Sequence, residues 1–315
     1  MTRSLLAMAP ILPQQMEELE HHFSVIKLWK EIDPEDTLHA RSKEVRAILS
    51  TYNGPKISKR LMSALPNLEI VCQYGVGVNN IDLAEAERRN IAVTYTPDVL
   101  TDDVADTAMG LVLSVMRRLC EADMFVRVGQ WTQNSSAFPL GSSLTRKTMG
   151  IVGLGRIGRA IARRAEAFGM EIIYFGRKKK NDVPYTYFDD LAEMAAKCDV
   201  LMLSCVGGEE TNQLINEEIL NALGAKGVLI NIARGSVVDE AALIEALVTK
   251  QIAAAGLDVY AKEPYVPEEL LKMDNVVLLP HIASATSETR AVMGELVIEN
   301  LLAHFDGRAL ISPVL

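Results

Sequence analysis

The segment Gly153-Leu154-Gly155-Arg156-Ile157-Gly158 constrains this chain more than any other, because of what surrounds it. A short apolar run, Met149 to Val152, precedes it and reads as a buried strand. A helical pattern, Ala160 to Phe168, follows, and a second apolar run, Glu171 to Phe175, comes next. Strand, tight turn, helix and strand within about thirty residues form the setting in which G-x-G-x-x-G is a dinucleotide fingerprint. Each glycine has its own physical task. Gly153 permits the tight turn, Gly155 lets the backbone approach a pyrophosphate, and Gly158 lets the helix pack on the strand. The helix N-terminus then offers N–H groups and a partial positive charge to phosphate.

The same alternation runs through most of the chain. Leu5 to Ala9, Val45 to Ser50, Ile70 to Gln73 and Ile91 to Thr94 read as strands, with helical patterns at Ser58 to Leu65 and Leu83 to Arg89. Strands alternating with helices imply a parallel sheet covered by helices, hence an α/β fold. A helical pattern then extends from about Thr101 to Gly129, with Met109, Val112, Leu113 and Met116 at helical spacing and Asp102 and Asp103 in its first turn. Such a length suits bridging between domains or between subunits. Gln133 to Leu144 is polar and reads as a loop. From Thr148 a second set begins, with strands at Met149 to Val152, Glu171 to Phe175, Val200 to Cys205, Val228 to Ile232, Ala254 to Val259 and Val276 to Leu279. Six such strands make a complete dinucleotide-binding domain. A final helix, Glu288 to Phe305, is one that this domain does not require.

The length of 315 residues suffices for two domains with cores of their own. The net charge of −9 argues against nucleic acid or an anionic membrane as partner. No apolar run is long enough to span a bilayer, and no secretory leader is expected at the N-terminus. Cys72, Cys120, Cys198 and Cys205 lack metal-ligand spacing, so no metal site is expected, and free thiols fit a reducing, cytoplasmic setting.

Three ionisable residues stand at or just beyond the ends of the later strands: Arg234, Glu263 and His281. In an open α/β sheet, ligands bind outside the carboxyl ends of the strands. An arginine there can grip a carboxylate through two parallel hydrogen bonds. A histidine can trade a proton near neutral pH, and a glutamate beside it favours the imidazolium.

Order and spacing then become specific. The GLGRIG run, Asn231-Ile232-Ala233-Arg234-Gly235 with Val238-Asp239-Glu240, Gly256-Leu257-Asp258-Val259-Tyr260 leading to Glu263-Pro264, and Leu279-Pro280-His281-Ile282-Ala283-Ser284-Ala285-Thr286 follow one another in turn. Together they resemble the D-isomer-specific 2-hydroxyacid dehydrogenase family through nearly the whole chain. The first domain agrees: Gln73-Tyr74-Gly75-Val76-Gly77-Val78-Asn79-Asn80-Ile81-Asp82 is similar to that family's substrate loop. The resemblance implies that Arg234, Glu263 and His281 are catalytic. It also implies that the N–H groups of Val76 and Gly77 hold the substrate carboxylate beside Arg234. Tyr52 and Ser284 are further candidates for the substrate pocket. The implied architecture is two Rossmann-like or flavodoxin-like domains with parallel sheets. A substrate domain of residues 1–98 and 288–315 would be interrupted by a cofactor domain of residues 99–287, with the site in a cleft that closes by a hinge.

Further cofactor contacts are implied residue by residue. Arg156 and Ile157 would cover the pyrophosphate. Cys205, Val206 and Thr211 would line the adenosine side, and Ile232 and Ala233 the strand end. Thr107 and Asp258 would face the nicotinamide; Asp258 would accept from the carboxamide or else cap a backbone turn. One departure bears on cofactor choice. An NAD site places an acid at the end of the second strand, whereas this strand ends Phe175-Gly176-Arg177-Lys178-Lys179-Lys180. Lack of the acid, with Arg177 and Lys178 in its place, favours NADP(H), with NAD(H) as the alternative.

The reading is thus a reductase of a small 2-oxo acid, closest to the glyoxylate and hydroxypyruvate reductases, giving the D-isomer where the product is chiral. Alternatives are a dehydrogenase of another D-2-hydroxy acid, such as D-lactate or 3-phosphoglycerate, and a nicotinamide-sensing, corepressor-like binding protein. A homodimer formed through residues 101–144 is expected, with Trp131 or Phe138 as residues that would reach the partner's site.

Overall fold

The computed structural model describes residues 3–51, 54–133 and 138–314. Tyr52 lies outside the described residues. The chain divides into two compact units, Met1–Leu100 with Ala285–Leu315, and Thr101–Ser284. The breaks fall two to three residues from the expected 98/99 and 287/288.

The first unit holds β1 (Ser4–Ala7), α1 (Pro13–His22), β2 (Ser24–Lys27), α2 (Pro34–Arg41), β3 (Val45–Thr51), α3 (Lys59–Ala64), β4 (Ile70–Tyr74), α4 (Leu83–Arg88) and β5 (Ala92–Thr94). Its strands form one parallel sheet in the order β2-β1-β3-β4-β5, the flavodoxin-like arrangement. Leu5, Leu6, Ile48, Leu49, Val71 and Val93 are fully buried, as strands covered on both faces require. The short β2 has no counterpart among the expected strands; as an edge strand of Ser-Val-Ile-Lys, it presents too brief an apolar run to stand out.

The second unit opens with α5 (Thr101–Met116) and α6 (Leu119–Arg127). It continues through β6 (Thr148–Val152), α7 (Arg156–Ala167), β7 (Glu171–Phe175), β8 (Thr186–Phe188), α8 (Leu191–Ala195), β9 (Val200–Leu203) and α9 (Glu217–Leu223). It ends with β10 (Val228–Asn231), α10 (Glu240–Val248), β11 (Ala254–Leu257), α11 (Glu268–Leu271) and β12 (Val276–Leu278). Its parallel sheet runs β12-β11-β10-β9-β6-β7-β8. This is the doubly wound order with a seventh strand, and β8 is the one beyond the six expected.

The single long helix expected over 101–129 is instead two. Arg118 adopts a left-handed conformation, φ 56° and ψ 39°, between α5 and α6. The cause is tertiary. The N–H of Ser142 takes the carbonyl of Met116 at 2.7 Å, and a Cβ at Gly141 would stand 2.7 Å from that same oxygen. An incoming loop thus closes the helix, with no proline or glycine among Met116-Arg117-Arg118-Leu119 to announce it.

The chain returns to the first unit with α12 (Ser287–Phe305), capped by the Thr286 hydroxyl accepting from the Thr289 N–H. α12 buries Met293, Val297, Ile298 and Leu301. Gly294 admits the Gln15 amide, whose Nε2 donates to the Ala291 carbonyl. The tail then pairs with the β5 edge through the Val314 N–H and Val93 carbonyl, 2.7 Å apart.

Candidate active site

Register builds the edge on which the chemistry sits. Val152 lies opposite Phe175 on one side and Leu203 on the other, and Leu203, Asn231, Leu257 and Leu278 lie level across the rest of the sheet. The residues that follow these positions therefore emerge together along one edge. They are the glycine turn at 153, the basic run from 176, Ser204 and Cys205, Ile232 to Arg234, Asp258, and the turn carrying His281. The reversal of strand order at β6 and β9 places a crevice position there.

His281 and Glu263 form the core of the site, with Nδ1 of the ring 2.6 Å from Oε2 of the carboxylate. The other oxygen of Glu263 accepts from the Tyr260 N–H at 3.1 Å. Burial pushes the Glu263 carboxyl upward. The hydrogen bond and charge of His281, the Tyr260 N–H and the charge of Arg234 outweigh it, leaving the group below its ordinary value. Arg234 is half-buried at the end of β10. Asn231 shapes that end by accepting from the Ala233 N–H and donating to the Arg234 carbonyl, both at 3.0 Å. Gly207 leaves room for the arginine, since a Cβ there would meet Arg234 Cγ at 2.7 Å. A Cβ on Gly235 would stand 1.9 Å from the Tyr260 carbonyl carbon, so the ends of β10 and β11 approach each other only over a glycine.

The turn that carries His281 is held from several sides. His281 itself has φ 55°, a left-handed conformation that costs a side-chain-bearing residue free energy. Asp258 is 1% exposed, and its two oxygens accept from the N–H groups of Ile282 and Ala283 at 2.7 and 2.9 Å. Burial raises its carboxyl above the ordinary value, against the opposing pull of those two N–H groups. The Thr107 hydroxyl donates to the Ala283 carbonyl at 3.3 Å, and the Tyr260 hydroxyl to the Leu279 carbonyl at 2.9 Å. Asp258 and Thr107, expected at the nicotinamide, are thus both engaged in the histidine turn; for Asp258 this is the backbone-cap alternative. Tyr260 was legible only as part of a motif, because nothing in sequence shows where a hydroxyl points. Ser284 is half-buried where the unit ends.

The fingerprint glycines separate into two kinds. A Cβ at Gly153, φ 94°, would stand 2.6 Å from Cys205 Cα, and one at Gly158 would stand 2.4 Å from the Gly153 carbonyl oxygen. These two are required by the protein's own packing. Gly155 is different, because a Cβ there would meet nothing within 4 Å. Its missing side chain serves the outside of the protein, over the start of α7, which no side chain caps. A dinucleotide pyrophosphate fits that cradle. Arg156 is exposed and Ile157 half-buried in the first turn of α7. Beyond β7, the hydroxyl of Tyr187 donates to the Gly176 carbonyl at 3.1 Å, and the Lys180 N–H donates to the Tyr174 hydroxyl at 2.7 Å. The 176–180 turn is therefore pinned by its backbone while Arg177 stays 87% exposed, its guanidinium 3.9 Å from Glu210. Lys178 is exposed as well. Cys205 is half-buried behind Gly153, and burial pushes its thiol up to about 11. Val206 is exposed, and its carbonyl accepts from the Thr211 hydroxyl at 2.8 Å. Ile232 and Ala233 are buried.

In the first unit, Val76 and Gly77 follow β4 at the carboxyl edge of its sheet. Both are half-buried, and among the described residues their N–H groups donate to no protein acceptor. Phe138 packs on Phe125 of α6 with ring centres 5.4 Å apart, while Trp131 is 75% exposed.

A Rossmann-type sheet with an open glycine cradle, and a carboxylate-paired histidine on the same edge, define a nicotinamide-dependent oxidoreductase. Residues 109–283 match the family model for the D-isomer specific 2-hydroxyacid dehydrogenase NAD-binding domain. The chain belongs to the D-isomer-specific 2-hydroxyacid dehydrogenase family. It is 46% identical over 310 residues to the hydroxyphenylpyruvate reductase of Plectranthus scutellarioides, covering 98% of each chain. It is equally 46% identical over 310 residues to glyoxylate/hydroxypyruvate reductase A of Arabidopsis thaliana, again covering 98% of each. Among solved structures it resembles the NADPH-dependent glyoxylate/hydroxypyruvate reductase of Sinorhizobium meliloti in complex with NADP and malonate. That match has a TM-score of 0.91 at 43% identity, covering 100% of this chain and 97% of the other.

Proposed function

We propose that this protein is an NADPH-dependent reductase of small 2-oxo acids, glyoxylate and hydroxypyruvate foremost, yielding the D-2-hydroxy acid where the product is chiral. The observation that carries the reading is the His281–Glu263 pair at 2.6 Å on the edge that also bears the dinucleotide cradle. The cofactor supplies the hydride. Everything else falls to side chains and backbone of this chain. The cradle at Gly155 and the α7 N-terminus hold the pyrophosphate, and Arg177 and Lys178 hold the 2′-phosphate. Arg234 binds the substrate carboxylate through parallel hydrogen bonds, and the Val76 and Gly77 N–H groups are further donors to it. His281 carries its transferable proton on Nε2, because Nδ1 faces Glu263, and passes it to the nascent alkoxide. Glu263 holds the ring oriented until that transfer.

The same reading assigns cofactor binding to the unit of residues 101–284 and substrate binding to the other. It includes a homodimer, supported by α6, in which no residue is buried while Leu119, Met124 and Val126 are exposed. Val128, Trp131 and Leu140 extend this apolar surface along the chain. A cytoplasmic setting is supported by four unpaired cysteines; among the described residues, no helix is long and apolar enough to cross a membrane.

The test is initial-rate loss of NADPH and of NADH absorbance with glyoxylate, hydroxypyruvate, pyruvate and hydroxyphenylpyruvate. Fast turnover of the first two with NADPH is the expected result. Turnover with NADH alone would remove the 2′-phosphate site, and no turnover with any pair would remove the reductase.

A further inference from the structure

Beneath the 75–80 loop of the first unit lies a set of uncharged amides that no catalytic step employs. Gln73 is 0% exposed in β4, and a buried side-chain amide persists only where its hydrogen bonds are met. Its Nε2 donates to the Gly77 carbonyl at 2.9 Å. Asn80, at the far end of the loop, donates from Nδ2 to Ser50 Oγ at 3.0 Å and to the Thr51 carbonyl at 3.1 Å. Gln73 Oε1 lies 3.5 Å from the same nitrogen, so the two amides adjoin under the loop. The backbone closes the remaining ends. The Thr96 N–H donates to the Gly75 carbonyl at 3.0 Å, and the Ile57 N–H to the Asn80 carbonyl at 2.8 Å. The Gly75, Gly77 and Asn80 carbonyls are thus all bound by protein, while among the described residues the N–H groups of Val76 and Gly77 have no protein acceptor. Bound carbonyls and unspent N–H groups in one short loop make a pre-organised receptor for an anionic oxygen.

We propose that Gln73 and Asn80 are positioning residues for the substrate carboxylate, holding the Val76 and Gly77 N–H groups oriented from below the loop. This rests on the reading of that loop as the substrate carboxylate's receptor. Neither side chain touches substrate. Gln73 fixes the peptide that follows Gly77, and Asn80 ties the loop to the end of β3. Because both are neutral, their grip does not vary with pH, unlike that of the His281–Glu263 pair.

The test is steady-state kinetics of Gln73→Met, which keeps the volume and removes the donor, and of Asn80→Ala, at a half-exposed position. KM for glyoxylate should rise about tenfold, and inhibition by oxalate should weaken in the same proportion. The NADPH dissociation constant, read by fluorescence, should stay within about twofold. A merely structural role would raise the NADPH constant and lower kcat together, and that outcome overturns the proposal. So does an unchanged glyoxylate KM in a variant that folds. A wild-type protein that reduces no 2-oxo acid removes the functional reading and this brace with it, whereas turnover with unaltered KM in both variants removes the brace alone.

Discussion

His281 combines three demands in one residue: a charged partner, a left-handed backbone and a turn held by Asp258, Thr107 and Tyr260. Removing its proton while leaving the cradle intact separates chemistry from binding. His281→Ala should lower kcat by on the order of a hundred- to ten-thousand-fold. Its NADPH affinity, measured by fluorescence titration, should hold. Glu263→Gln removes the carboxylate that meets Nδ1 of the ring, and kcat for glyoxylate should fall at least about tenfold. A carboxyl held below its ordinary value stabilises the native state above the unfolded value, and loses that contribution as pH falls through the folded one. At the opposite end of the cofactor, Arg177→Ala with Lys178→Ala should raise the NADPH KM at least about tenfold and leave that for NADH nearly unchanged. Arg234, Glu263 and His281 were legible in sequence because each sits next to a strand end. The engagement of Thr107 in the histidine turn was not legible, and for Asp258 a backbone cap was one of two open alternatives, because both depend on a turn brought in from β12.

At the scale of elements, glycines report which approaches are structural and which serve a ligand. Gly235→Ala must push apart the ends of β10 and β11 and should destabilise the protein by about 3 kcal/mol in urea unfolding. Gly155→Ala meets no protein atom. It should change stability by less than about 0.5 kcal/mol, while weakening NADPH binding about tenfold by filling the approach to the pyrophosphate. The pair is informative because one sequence motif offers no such distinction. Interior strands such as β6 and β10 were legible as continuous apolar runs, since both faces are buried. β2 and β8 pair on one side only and are too short to carry a pattern. The break at Arg118 is likewise decided by the 141–142 segment arriving at the end of α5.

For the molecule as a whole, α6 and the segment after it leave Leu119, Met124, Val126, Val128 and Trp131 exposed. Met124→Glu combined with Val128→Glu should convert a dimer to a monomer in sedimentation velocity, since a buried like-charge pair has no partner to offset its desolvation. The amino-acid sequence by itself determined the α/β class, the dinucleotide turn and the three ionisable residues of the edge. These follow from local patterns, apolar runs, glycine spacing and residues adjoining strand ends, whereas the discontinuous first unit was implied only by the family resemblance. The tertiary structure alone decided the two edge strands, the division of the long helix, the engagement of Asp258 and Thr107, and the amides under the 75–80 loop. Each of those depends on a hydrogen bond between residues or strands that only the folded chain brings together, and such a bond leaves no periodicity in the sequence.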